Sequence, residues 1–108
     1  MAAEVKVNSR ICDHIHSVKA AKDGKNVIVE VDTSCEKVKK MTGLEVSQME
    51  MFDMKDSSIM DKSRESKVCA TCIVPAAVMT ACHLESGFIS KTLAEKAGSV
   101  SMEFESEE

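Results

Sequence analysis

Along the first third of the chain, apolar and polar residues alternate with the two-residue period of a half-buried strand. Val5 and Val7 alternate within residues 4–10, a second extended stretch covers residues 13–21, and Asn26-Val-Ile-Val-Glu-Val-Asp32 is the clearest strand of the sequence. Asp23-Gly24 between the last two reads as a hairpin turn, because glycine accepts the positive φ that such turns demand. Three antiparallel strands therefore open the predicted fold.

The period then changes to that of helices. Thr33-Ser34-Cys35-Glu36 offers a capping box from Thr33 to Glu36, followed by Val38 and Met41 at helical spacing and a stop at Gly43, which puts Cys35 in a first helical turn. Ser47 and Glu50 cap a second helix running to Met54, and Asp56 or Ser57 starts a third ending near Glu65, so residues 44–67 are predicted to be helical. Pro75 stands where the first residue of a helix often sits, and residues 76–97 carry apolar side chains at helical intervals, with Gly87 placed to divide the run. Val100, Met102 and Phe104 alternate with Ser101, Glu103 and Glu105, as in a short strand or an extended tail. The predicted fold class is α+β: a three-stranded antiparallel sheet followed by a helical layer, with a short C-terminal strand as an optional addition.

Composition narrows the function classes. A chain of 108 residues, 44% hydrophobic and 30% charged, suits a single domain over residues 1–108 with an acidic tail at about 103–108. Three Phe and no Trp or Tyr leave the core to Val, Ile, Leu, Ala and eight Met. The net charge of −4 and scattered lysines argue against a nucleic-acid surface. The lack of an 18-residue apolar run or of a basic, apolar leader predicts a soluble, cytoplasmic protein with no membrane partner. The four glycines are too far apart for a phosphate loop and no hydrolytic triad stands out, so an ordinary turnover enzyme is disfavoured.

The five cysteines carry the candidate chemistry. Their odd number, in a reducing compartment, favours thiolate chemistry over a disulfide framework. Cys69 and Cys72, three residues apart around a turn, can grip one metal ion at the roughly 2.3 Å of a zinc–sulfur bond. Cys35 and Cys72 each open a predicted helix, where free N–H groups and the helix dipole favour the thiolate. Cys82 shares a helix face with Val78, Ile89 and Leu93 and reads as a core thiol, with His83 beside it pointing elsewhere. In an extended segment Cys12, His14 and His16 share one face, a row of ligand candidates whose histidines read equally well as surface polar residues. Met49, Met51 and Met54 could be called a copper(I) motif, but such a stripe is more often core filler or a partner-binding face, and Lys37, Lys39 and Lys40 read as a solvated helix face.

A cysteine between the first two strands, one at the helix after the third strand and one before a long helix: this order resembles the iron–sulfur cluster assembly scaffolds of the IscU and NifU N-terminal type. Cys12-Asp13, Thr33-Ser34-Cys35 and Cys72 carry the likeness over roughly residues 4–97, while the family's histidine before its third cysteine is here Thr71 and Cys69 is an additional thiol. The chain also resembles an uncharacterised family of small cysteine-containing proteins from anaerobic microbes. The scaffold resemblance implies that Cys12, Cys35 and Cys72 converge at one end of the sheet with Asp13 nearby to tune ligand exchange, and that Cys69 supplies a fourth ligand. Four thiolates suit Zn²⁺ and an iron–sulfur cluster alike, and a sulfur donor or cluster acceptor protein would be the partner. Two other readings stand beside this one: a thiol redox or sulfur-carrier protein using Cys69 and Cys72 or Cys35, and a non-catalytic interaction module whose reduced cysteines are small buried apolar residues.

Overall fold

The computed structural model describes residues 3–53 and 55–105. Strands β1 (Ala3–Ser9), β2 (His14–Asp23) and β3 (Asn26–Thr33) form an antiparallel meander. Gly24 turns the second hairpin with φ of 65°, as predicted, but its turn partner is Lys25 rather than Asp23, which pairs with Asn26 as the last rung of β2 and β3. The sheet has a fourth strand, β4 (Leu44–Ser47), beside β3 in the order β1-β2-β3-β4. This replaces the helix expected to begin at residue 44. Single-turn α1 (Glu36–Lys39) follows β3, and the chain then reverses at Gly43, whose φ of 83° suits a residue without a Cβ. The Gly43 N–H donates to the Val29 carbonyl at 2.8 Å, which lays Leu44 and Val46 along the free edge of β3.

Helical structure resumes with the 3-10 helix Gln48–Phe52, for which Ser47 and Glu50 form the predicted capping box. Glu50 Oε2 accepts from the Ser47 N–H and hydroxyl, both at 2.8 Å, and Oε1 accepts from the Ser58 N–H at 2.7 Å. Burial pushes this carboxyl up, but those hydrogen bonds outweigh it and hold the pKa at about 2. One side chain thus ties the end of β4 to the start of α2 (Ser58–Glu65), whose own N-cap is Ser57. Met54, where the earlier of these helices was expected to end, lies outside the described residues, as do residues 106–108 of the acidic tail.

Helix α3 (Val74–Ser86) packs across β2 and β1, with Val74, Ala77, Val78, Ala81 and Cys82 buried at the 3- and 4-residue intervals of one helical stripe. Opposite them the sheet presents Val7, Val18, Ala20, Val27, Val29, Val31 and Val46, joined by Val38, Met41, Met51 and Ile59. The short side chains of Ala20, Ala77 and Ala81 let helix and sheet approach closely. Gly87, in the left-handed conformation, ends α3 and divides it from α4 (Lys91–Ala97), as its position in the sequence implies. Leu93 is consequently exposed on α4 rather than stacked over Cys82. Residues 98–105 carry no strand. The alternation over residues 100–104 finds no neighbouring strand, so the optional C-terminal strand is absent. Among the described residues, no helix is long and apolar enough to cross a membrane.

Candidate functional site

Three chain reversals deliver cysteines to the end of the sheet where β1 ends, β2 begins and β3 leaves for α1. Cys12 lies in the β1–β2 turn, closed by the Asp13 N–H donating to the Arg10 carbonyl at 3.3 Å, with Asp13 itself at φ of 58°. The Cys12 Sγ is exposed and sits 3.2 Å from Ser9 Oγ. Cys35 is the N-cap residue of α1 in extended conformation, half-buried against the core. The predicted capping box from Thr33 to Glu36 does not form. Thr33 Oγ1 instead accepts the N–H of Cys35 at 3.0 Å. Helix α1 is a single turn, shorter than the helix to Gly43 that the sequence predicts, with Cys35 as its N-cap residue.

Cys69 and Cys72 stand at the two ends of a turn in which the Cys72 N–H donates to the Cys69 carbonyl at 2.9 Å, just before α3. Cys69 is exposed and Cys72 half-buried. The sequence argument predicted a thiolate-favouring site at Cys72, and the structure reverses this. Burial pushes the Cys72 thiol above its ordinary pKa; the Val74 N–H works against that, but the charges of Cys69, Cys35 and Cys12 raise it further. Desolvation and like charge therefore outweigh the helix terminus.

That electrostatic pattern is also a statement of proximity. Four thiols from three separate loops lie close enough for the ionisation of one to be opposed by the other three. They are gathered, but they do not form a closed ligand cage: among the described residues, no group of three or more His, Cys, Asp or Glu side chains is arranged to hold a metal ion. Cys82 lies apart, fully buried, its thiol pushed up to about 12 by burial, in keeping with its reading as a core residue.

Histidines occupy the same end of the sheet, on the inner face rather than in a solvent-facing row with Cys12. His16 is buried, 1% exposed, with Nδ1 2.6 Å from Thr33 Oγ1. Because that hydroxyl oxygen already accepts the Cys35 N–H, its hydrogen is free to donate to His16 Nδ1. Burial, and then the neighbouring His14, lowers the His16 pKa. His14 Nδ1 lies 2.8 Å from Ser34 Oγ. Thr33 and Ser34 thus bind the β2 histidines to the Cys35 turn, a role that the sequence signalled only as small polar residues before a cysteine. His83 lies elsewhere, its Nε2–H donating to the Met51 carbonyl at 2.6 Å. Lys37, Lys39 and Lys40 are exposed, as their reading as a solvated face requires, and Lys39 pairs with Glu36 at 3.3 Å.

A family described as "Family of unknown function (DUF6951)" matches residues 3–97, and the chain belongs to that family. No curated protein and no solved structure matches it.

Proposed function

We propose that Cys12, Cys35, Cys69 and Cys72 are a thiolate site for a zinc ion or an iron–sulfur cluster, and that the protein carries or assembles that group for a protein partner. The observation that supports this reading is that the β1–β2 turn, the Thr33–Cys35 turn and the turn before α3 bring Cys12, Cys35, Cys69 and Cys72 toward one end of the sheet, where the charges of Cys69, Cys35 and Cys12 bear on the Cys72 thiol. A thiol gives up its proton when its sulfur binds a cation, so binding the group and releasing the thiol protons occur together. Sulfur donors in this number suit a soft, tetrahedral centre. Exposed Cys12 and Cys69 sit in turns, where rotation of a side chain or a small shift of backbone completes a set that half-buried Cys35 and Cys72 anchor. The scaffold resemblance is part of this proposal, with Asp13 beside Cys12 as the residue that would tune ligand exchange. The aromatic-poor core also gives the fold reason to gain stability from a bound group.

Metal and sulfide analysis of protein prepared without oxygen tests the reading, together with a Co²⁺ titration followed by its thiolate charge-transfer absorption. One bound group per chain is expected, lost in Cys35→Ala and Cys72→Ala and retained in Cys82→Ala. Equal retention in all three variants, or no binding to the parent protein, overturns it.

A second reading is favoured by the Cys69 to Cys72 turn, whose backbone hydrogen bond brings the two cysteines to the ends of one turn. Exchange with an oxidised disulfide partner would then form a Cys69–Cys72 disulfide and return two thiols to that partner. Protection of these thiols from alkylation by added Zn²⁺ distinguishes the two.

A further inference from the structure

The chain has three phenylalanines, and none of them is in the core: Phe52 is 66% exposed, Phe88 41% and Phe104 81%. Aromatic side chains contribute more to packing than any others, and a fold that builds its interior from Val, Ala, Ile and Met while leaving every Phe in water keeps them for a contact made elsewhere. Two of the three form a defined surface. Phe52, at the end of the 3-10 helix, and Phe88, just past α3, have ring centroids 4.9 Å apart, and His83 lies edge-on to both at 5.6 and 5.7 Å. The hydrogen bond from His83 to the Met51 carbonyl fixes that arrangement. Beside this patch is a hollow of about 180 Å³ lined by Lys22, Gly24, Lys25, Gln48 and Ser86. Among the carboxylates nearby, Glu50 is engaged in its cap, Glu85 Oε2 accepts the Lys22 N–H with Oε1 3.8 Å from Lys91 Nζ, and exposed Asp23 stands between Lys22 and Lys25.

The third phenylalanine belongs to a segment of complementary character. Val100, Met102 and Phe104 are all exposed and alternate with Ser101, Glu103 and Glu105. An extended segment of this kind offers a continuous apolar side and acidic flanks. The patch offers the reverse: an apolar aromatic surface with a lysine-lined rim.

We infer that residues 100–105 of one copy dock on the Phe52–Phe88 patch of a second copy, forming a reciprocal two-fold dimer. The segment does not lie on the patch of its own chain, where its apolar side chains remain in water. A two-fold exchange makes the contact twice. The inference is independent of the thiol site.

Sedimentation velocity of the reduced full-length chain over a wide concentration range is the test. A concentration-dependent dimer is expected, weakened about tenfold or more by Lys22→Glu with Lys25→Glu, since the rim charges then oppose the segment. The triple variant Val100→Ser, Met102→Ser, Phe104→Ser alters no element of the fold and is expected to be monomeric, as is Phe52→Ser. Mixing these two variants restores one of the two contacts, so a tagged copy of one is expected to retain the other weakly. A parent protein monomeric throughout, a dimer unchanged in both variants, or a monomer in which a fluorine label on Phe104 responds to Phe52→Ser overturns the inference, the last by placing the segment on its own chain.

Discussion

His16 Nδ1 lies 2.6 Å from Thr33 Oγ1, between residues paired across the β2–β3 ladder, and the same hydroxyl oxygen accepts the Cys35 N–H at 3.0 Å. One buried threonine therefore links the sheet interior to the backbone that presents a candidate ligand. Thr33→Val keeps the shape and removes both bonds. It is expected to cost about 1–3 kcal/mol, the penalty for leaving buried polar groups unpaired, and to speed alkylation of Cys35. Urea denaturation and mass-resolved labelling read the two effects.

The protonation state of His16 sets a pH dependence. Burial first, and then His14, lower its pKa in the folded chain, so the unfolded chain binds the proton more readily. Stability from this residue is complete above the ordinary histidine value of about 6.5 and declines as pH falls below it. Urea midpoints are expected to drop between pH 7.5 and 5.5 in the parent protein, and to drop less in His16→Gln.

Glu50 acts at lower pH. Its folded pKa of about 2 lies below the ordinary 4.5, so its contribution is present above 4.5 and is lost as pH falls toward 2. Glu50→Gln is expected to cost about 1 kcal/mol at pH 7, the scale of a helix cap. The gap between variant and parent closes as pH falls through that window, which thermal melts at successive pH values follow.

The five cysteines separate into three groups by exposure. Native-state titration with a thiol reagent is expected to modify Cys12 and Cys69 first and Cys35 and Cys72 more slowly. Cys82, fully buried with its pKa raised to about 12, is expected to react only on unfolding. Cys82→Ala loses packing alone, about 1 kcal/mol, which denaturant midpoints measure.

Two short segments show how far the sequence could be read. Leu44 and Val46 alternate with polar neighbours much as Val100, Met102 and Phe104 do, yet the first segment becomes β4 and the second joins no sheet. Local pattern does not separate them. What separates them is the reversal at Gly43, which delivers residue 44 to the unpaired edge of β3, a relation between positions far apart in sequence. The first three strands, the Gly24 hairpin, the cap at Ser47 and the division at Gly87 were legible because each depends on neighbouring residues only. Of the cysteines, the sequence placed Cys12 between the first two strands and Cys82 in the core. It misjudged Cys72, since a helix start was visible and the burial and neighbouring thiols that override it were not. His16 likewise shared a face with His14 as period two requires, but only the seating of α3 over β2 decides that this face is the interior.

Helix α3 begins just after Cys72 and ends just before Phe88. Its 13 residues rise about 20 Å at 1.5 Å each, so sulfur and aromatic rings stand at opposite poles of one rigid rod. A pair of chains joined through the ring-bearing poles would leave both sulfur-bearing poles facing outward and open to a visiting protein.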